Sequence, residues 1–442
     1  MPRRFATLDV QALASYLKDM TTADTSQDPS ASPASGNIAD LAIVGAGPTG
    51  ATLAIAAAQA GFSVCLIDAR DPDIERPDGR NFAIVRGSWR LLTGCSVTGP
   101  LLEHAQPLNG LEATDGGRHW FGAPSALFTD ADLPDDADGT PLGYMIEAPR
   151  LQAALDAALA AEPNIEWHRN ASFSGLDVEA GHIALELANG QVRYARLLAG
   201  CDGVNSPVRT AAGITVEGRE YGKSVFAANV TLSRPHHGIA RQLFTPEGPF
   251  ATLPLTGDRA NLAWYMKTGA AETLAASGKD GIEAELNARF AGFAGKMQLD
   301  GPAISYPLEL KIADSMVAPR IALVGDAARR INPLAGQGLN LGFKDVAALV
   351  EVLEDGRHAG LDIGALTVLD NYQQWRRFDA NATALGLDAI DRIFSNDSAL
   401  LKPLRGAGLA IASRVPFVRK TLAGQASAQQ AHLPKRMQPD AP

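Results

Sequence analysis

Short apolar runs, each leading into a turn or a helix, organise this chain. Leu41-Ala42-Ile43-Val44 precedes a small-residue helical stretch from Ala51 to Ala60, which Gly61-Phe62 breaks. Ser63-Val64-Cys65-Leu66-Ile67 is a second run and closes on Asp68. Tyr194-Ala195-Arg196-Leu197-Leu198-Ala199 is a third, and Ile321-Ala322-Leu323-Val324 a fourth, ahead of a helical pattern from Leu341 through Val350. Runs of this length bounded by turn signals read as buried strands. Between them the pattern predicts a helix from Leu151 and strands near Ile165, Val178, Ile183 and Val192, with Asn189-Gly190 as a hairpin signal. Further strands are expected over Ser224–Leu232, Arg241–Phe244, Phe250–Leu255 and Ala260–Met266. Asp130 to Thr140 is polar and acidic and reads as an exposed loop. From Asn371 to about Ala426 the pattern is mostly helical, interrupted by Pro403 and Pro416.

The segments after the strands carry the candidate chemistry. Gly45-Ala46-Gly47-Pro48-Thr49-Gly50 stands between strand and helix, and Asp68 ends the next strand. This is the order of a dinucleotide-binding turn: glycines permit the tight turn, the pyrophosphate approach and helix–strand packing, and the acid holds a ribose hydroxyl. After the fourth run, Asp326 can accept a hydrogen bond from a sugar or ribityl hydroxyl. The Gly336-Gln337-Gly338 backbone can approach a planar ring closely. The following helix turns its free N–H groups and positive dipole end toward any anion there. Gly200-Cys201-Asp202-Gly203-Val204-Asn205-Ser206-Pro207-Val208-Arg209 reads alone as a surface turn, since Asp-Gly is a turn former. Its company gives it a second meaning.

In combination, G-x-G-x-x-G, C-D-G-x-x-S-x-x-R and G-D-A-A-x(4)-P-x-x-G-Q-G-x-N resemble the flavoprotein aromatic hydroxylases, the single-component FAD monooxygenases. Asp78-Gly79-Arg80-Asn81-Phe82-Ala83-Ile84, Gly143-Tyr144-Met145-Ile146-Glu147, Phe250 to Leu255 and Phe394-Ser395-Asn396-Asp397 are similar to segments of the ubiquinone-biosynthesis hydroxylases within that class. The resemblance covers roughly residues 38 to 425. It implies an α/β protein: a discontinuous Rossmann-like FAD-binding domain (38–110, 146–214, 308–372), an inserted, mainly β-sheet substrate domain (111–145, 215–307) and C-terminal helices over 373–426. It also implies FAD as cofactor, with Gly45, Ala46, Gly47, Pro48, Thr49, Gly50 and Asp68 at its dinucleotide end. Arg80, Asp202 and Asp326 would hold the rest of FAD, and Pro333, Gly336, Gln337, Gly338, Leu339 and Asn340 would surround the flavin. The implied reaction is hydroxylation of an aromatic ring, that of a polyprenylated phenol, with O2 through a C4a-hydroperoxyflavin. NAD(P)H would dock transiently, as only one dinucleotide fingerprint is present. Rival readings are a monooxygenase of a soluble phenol or secondary metabolite, and a non-catalytic, FAD-retaining subunit of a quinone-biosynthesis assembly. Arg329 and Asn332 stand where the family has histidines, and Arg329 is the sequence support for the non-catalytic rival; it could meet a phosphate or an acid.

Composition narrows partners and place. At 442 residues two interleaved domains are expected. A net charge of -10 disfavours a nucleic-acid role. Cys65, Cys95 and Cys201 fit no metal spacing and read as small hydrophobes in a reducing cytosol. No apolar run approaches the roughly 20 residues of a membrane span. Residues 1–37 lack a long apolar core and read as a disordered extension, arguing against a secretory signal or presequence. Residues 427–442 read as a flexible tail. Lys402, Arg405, Arg414, Arg419 and Lys420 alternate with apolar residues, so this segment either packs on the FAD domain or sits on an anionic membrane surface or a partner. The expected location is cytoplasmic, with peripheral contact to the inner face of the membrane through this tail; an oligomer is compatible. His236-His237 lies in a Pro/Gly loop, and neither a metal constellation nor a catalytic base is readable.

Overall fold

The computed structural model describes residues 38–71, 78–116, 125–129, 132, 141–331, 337–377 and 433–439. Residues from Ala39 onward form one unit. Along the chain come β1 (Ile38–Val44), α1 (Pro48–Gln59), β2 (Val64–Ile67), β3 (Asn81–Val85), α2 (Arg86–Gly94), β4 (Gln106–Leu108), β5 (Gly110–Asp115), β6 (Ser125–Thr129) and β7 (Gly143–Glu147). Next are α3 (Ala148–Ala161), β8 (Ile165–His168), β9 (Phe173–Val178), β10 (Ile183–Leu187), β11 (Val192–Gly200), α4 (Pro207–Ala211), β12 (Val216–Leu232), β13 (Ile239–Thr245), β14 (Gly248–Pro254) and β15 (Arg259–Lys267). The chain continues with α5 (Ala270–Ala276), α6 (Gly278–Ala294), β16 (Met297–Ala313), β17 (Val317–Ala318), β18 (Ile321–Leu323), β19 (Arg329–Arg330), α7 (Gln337–His358) and α8 over 366–377.

The first sheet runs β17-β18-β11-β1-β2-β8, with β10 and β9 attached to β11. Its β1, β2 and β8 are parallel, as are β11 and β18. Leu41, Ala42 and Ile43 are fully buried because helices cover the sheet, which is why β1 is apolar on both faces rather than alternating. Residues Gly50 to Ala58 of α1 are likewise buried, so this helix shows no amphipathic stripe. The second sheet runs β19-β16-β12-β15-β14-β13-β5-β6. One of its faces carries Phe226, Trp264 and Phe250 onto α5 and α6, where Phe250 stacks on Phe290 at 3.7 Å between ring centroids. A three-stranded sheet, β3-β7-β4, joins the two.

The α/β class stands as expected, with two differences in detail. The second sheet reaches past position 307: β16 continues to Ala313 along β12, and β19, inside the Asp326 motif, pairs with β16. The long antiparallel pair of β12 and β16 thus runs across the boundary expected at 307–308. The flexible-tail reading of 427–442 is also corrected for 433–439. Met437 is fully buried against Gly87 of α2, Lys435 pairs with Glu351 at 3.2 Å, and Arg436 with Glu354 at 3.1 Å. Gly87 offers the hole that the thioether fills. The extension 1–37, most of the acidic loop, the Phe394–Asp397 signature and the Leu401–Leu422 stretch lie outside the described residues. Among the described residues no helix is long and apolar enough to cross a membrane.

Candidate active site

The carboxyl ends of β1, β2, β11 and β18 open on one cleft of about 740 Å³. Ligands of open α/β sheets bind at this edge, where the chain leaves the strands and backbone groups are free. Backbone hydrogen bonds stitch the rim: Gly45 N–H to Ile67 O at 2.8 Å, Cys201 N–H to Val44 O at 2.8 Å, Val324 N–H to Gly200 O at 3.0 Å. Of the residues singled out from sequence, Gly45 to Thr49, Asp68, Arg80, Asp202, Asp326, Gly338 and Leu339 line the cleft. Pro333 and Gly336 lie outside the described residues, as does the side chain of Gln337, whose backbone opens α7.

Gly50 and Asn340 do other work. A Cβ on Gly50 would sit 1.9 Å from Gly45 O, so this glycine lets α1 pack on the turn. Asn340 is buried; its Oδ1 accepts the Val85 N–H at 3.0 Å and its Nδ2 donates to Ala83 O at 2.7 Å, tying α7 to β3. Gly45 has φ +99, and a Cβ there would lie 2.5 Å from Cys201 O. Gly47 is the opposite case: its φ is −64, and a Cβ would meet nothing within 4 Å. It borders the cleft beside the unspent N–H groups of the first turn of α1.

The cations of the cleft are aimed by neighbouring acids. Asp78 accepts the Arg80 backbone N–H at 3.0 Å and holds the Arg80 guanidinium through Nε at 2.9 Å and Nη2 at 2.6 Å. Two turns of the same D-x-R form stand at the site, for Asp68 accepts Arg70 Nε at 2.6 Å while Arg70 Nη2 donates to Ala46 O at 2.6 Å. Asp68 therefore serves Arg70 first, and Arg70 is a cleft residue that the motif reading missed; the repeated D-x-R spacing is the signal that could have found it. Asn81 and Arg330, inside quoted motifs but not singled out there, also line the cleft, as do Asn261 and Tyr306, which no local motif announces. Arg209, the last residue of the second motif, donates to Ala327 O at 2.8 Å and to Val204 O at 2.9 Å, clamping the Asp202 loop to the Asp326 loop.

Electrostatics fit a hydroxyl-rich, anionic ligand. Asp326 is exposed to the cleft, yet desolvation by the surrounding protein raises its carboxyl above the ordinary range, opposed in part by Arg330 and Arg80. Burial likewise raises Asp202, against the Ser206 side chain and the Val208 N–H. Asp202 Oδ2 accepts the Val208 N–H at 2.9 Å, whereas Oδ1 is buried without a partner. An orphaned carboxylate oxygen beside an open glycine cradle suits a ribityl or ribose hydroxyl and a pyrophosphate, the polar parts of FAD. Asp78 lies below its usual range and Arg80 above its own, each through the hydrogen bond to the other.

Arg329 does not reach the cleft. Its Nη2 donates to Asp345 Oδ1 at 2.5 Å in the core behind the Asp326 loop, so it meets an acid and no phosphate. That structural pairing removes the sequence support for a non-catalytic chain. His236 also has a structural place: Nε2 lies 2.9 Å from Leu255 O and 2.8 Å from Gly257 O, and Nδ1 accepts the Gly238 N–H.

Fold and site together define an FAD-dependent monooxygenase of the aromatic-hydroxylase class. The chain belongs to the FAD binding domain family, which matches residues 39–383. It is 37% identical over 381 residues to a ubiquinone hydroxylase, UbiL, of Rhodospirillum rubrum, covering 86% of this chain and 87% of that protein. It is 35% identical to the 3-demethoxyubiquinol 3-hydroxylase of Escherichia coli, covering 86% of this chain and 96% of that one. Among solved structures, p-nitrophenol 4-monooxygenase PnpA of Pseudomonas putida shares the fold with a TM-score of 0.73 at 20% identity, over 89% of this chain and 99% of the other.

Proposed function

We infer that this protein hydroxylates the aromatic ring of a polyprenylated phenol in ubiquinone biosynthesis, using FAD, NAD(P)H and O2. The carrying observation is that one cleft joins the Gly45–Gly47 turn to the second sheet, in a chain 35 to 37% identical to ubiquinone hydroxylases over most of its length. Gly45 to Thr49 and the first turn of α1 would hold the pyrophosphate, and Asp68 with Arg70 the adenosine end. Asp202 and Asp326 would accept from the ribityl chain, and the start of α7 at Gly338 and Leu339 would border the ring system. Bound FAD supplies oxygen activation and the redox change, which no side chain can supply. The chain's own part is to orient the aromatic ring and exclude water. Phe82, Ala227 and Ile304 give the ring an apolar wall.

The test is NAD(P)H oxidation by the flavin-loaded protein with a short-chain prenylated phenol, with mass spectrometry of the product. A rise in oxidation with a product one oxygen heavier supports the reading; no rise sinks it. Equal turnover of an unprenylated phenol would favour a soluble substrate. Quinone-intermediate profiles of cells lacking the protein would then give the ring position.

A membrane-resident substrate also calls for a way to the lipid surface. We propose that the basic Leu401–Leu422 stretch provides it, because Lys402, Arg405, Arg414, Arg419 and Lys420 would each add about 1 kcal/mol at an anionic surface. Reversing these charges tests this better than truncation, since truncation would also remove Met437 from the core. Co-sedimentation of the wild type with anionic liposomes at low salt, lost on charge reversal, is the expected result; a wild type that stays in the supernatant overturns it.

A further inference from the structure

Asn81, Asn229 and Asn261 form a chain of amides where β3 meets the second sheet. Asn229 Oδ1 accepts from Asn81 Nδ2 at 2.9 Å and from Asn261 Nδ2 at 2.9 Å. Asn229 and Asn261 are direct cross-strand partners on β12 and β15, so their side chains share a face. By strand alternation and register, Ala227 and Ile304 are on that face too, and with Asn261 they line the large cleft. Asn229 faces instead a second cavity of about 300 Å³, and Asn81 borders both.

The amide orientations follow from groups that can only accept. Asn81 Nδ2 also lies 3.3 Å from Gly79 O, and Asn261 Nδ2 lies 3.5 Å from Ala228 O. Turning either amide over would put its oxygen against a backbone carbonyl, Gly79 O for Asn81 and Ala228 O for Asn261. The two donors are therefore spent within the protein, and the two carbonyl oxygens are left over. Asn81 Oδ1 is buried with no partner. Asn261 is only 8% exposed and borders the cleft, and its bonds within the protein run through Nδ2. An amide oxygen left over at the cleft, beside an apolar wall, can take a donor from the ligand.

We propose that Asn261 is a substrate-binding residue whose fixed carbonyl oxygen accepts a hydrogen bond from the ring hydroxyl, with Asn229 and Asn81 as the residues that position it. This rests on the phenol reading above and deepens it. A phenol or hydroquinol O–H satisfies the amide oxygen. A quinone or an aryl ether presents only acceptor oxygens and leaves it unpaired. The site then takes the ring in its reduced, hydroxyl-bearing state, and the reaction supplying its substrate must deliver it in that state. Sites built to bond a hydroxyl discriminate strongly against analogues that lack it.

The experiment titrates flavin-loaded protein with ortho-prenylphenol and with its methyl ether, following the flavin absorption spectrum. Wild type should bind the phenol at least about tenfold more tightly, the loss expected for one unsatisfied hydrogen bond. Asn261→Leu should bring the ratio to within about twofold while flavin content stays full. The bulk of the added methyl is the same for both proteins, so a change in ratio reports the hydrogen bond. Asn229→Leu, outside the large cleft, should also lower the ratio, which a merely structural role would not do. Asn261→Ala removes the amide without adding bulk and should lower the ratio in the same way, a check that does not depend on how well the leucine variant folds. An unchanged ratio in Asn261→Leu overturns the proposal, as does loss of flavin there, which would place Asn261 in the cofactor cradle. If phenol stimulates NAD(P)H oxidation but the ratio does not move, this inference alone falls. If phenol neither binds nor stimulates, the functional reading falls with it.

Discussion

Arg329 and Asp345 form a buried ion pair, 2.5 Å from Nη2 to Oδ1, that fastens the Asp326 loop to the middle of α7. Arg376 of α8 donates to the same oxygen at 2.6 Å, and Gly325 N–H donates to the other at 3.0 Å. The carboxylate is fully buried and carries two guanidinium neighbours. Truncating one side of such a cluster costs more than the cluster is worth, because the charges left behind have no water. Asp345→Asn strands both arginines and should lose about 3–5 kcal/mol of unfolding free energy. Arg329→His leaves Asp345 with Arg376 and should lose less. Denaturant titration of the two variants checks the order, and the reverse order would refute this account.

Gly47 and Gly50 predict opposite failures. Gly47→Val has an ordinary φ and open space, so the protein should fold with near wild-type stability. Its side chain would occupy the pyrophosphate position and flavin should be absent. Gly50→Val would drive a Cβ to within 1.9 Å of Gly45 O and should give little soluble protein. Flavin-to-protein ratio alongside melting temperature separates the two. A yellow Gly47→Val protein would show that this turn does not hold the cofactor.

Asp326 should trade stability for binding. Its folded pKa is raised, chiefly by burial, so folding favours the neutral acid. The stability this gives is fully present below the unfolded carboxylate value of about 4 and is lost as pH rises through the folded value. Because Asp326 is open to the cleft, solvent screens this effect, and deflavinated Asp326→Asn should melt only slightly above deflavinated wild type at pH 7, with the gap closing on acidification. Its flavin affinity should fall by up to about tenfold, the difference between a charged and a neutral acceptor. Melting curves across pH and flavin titration give both halves; a variant less stable than wild type at pH 7 would contradict the sign.

Met437 predicts a core role for the end of the chain. Met437→Ala should cost about 2–5 kcal/mol, the range for emptying a buried methionine site. Lys435→Ala should cost far less, since its ion pairs are largely exposed. Equal, small effects from both would show that this segment only rests on the surface.

The parts of this molecule legible in the sequence are those where one short segment carries a whole device. Gly45 to Gly50 with Asp68 fixes strand, turn, helix and strand within one stretch, because phosphate approach needs those residue types at that spacing. Strands β12 to β15 of the second sheet were legible from their apolar runs, whereas β5, β6, β16 and β19 were not. What was hidden needs partners far apart in the chain. Asn261 is one of many strand asparagines until Asn229 and Asn81 fix its amide. Arg329 looks like a lost histidine until Asp345 and Arg376 are seen around it. Asn340 sits inside a cofactor motif yet serves the backbone of β3. Met437 has no periodic context and depends on a glycine in α2. Arg70 was the exception, a local D-x-R turn that the motif scan passed over.

Synthesis from the N-terminus meets a particular delay in this architecture. The turn at Gly47 leaves the ribosome early, but its opposite wall at Asp326 is made only later, and β18 must then slot in beside β11. At about 5–20 residues per second that interval is roughly a quarter of a minute to a minute. Throughout it α1 has no α7 to cover it, and from its own synthesis until β18 arrives β11 has a bare edge. Met437 comes at the very end and closes the hole over Gly87. The cleft is thus completed late, since its Asp202 and Asp326 walls follow the Gly47 turn by long stretches of chain.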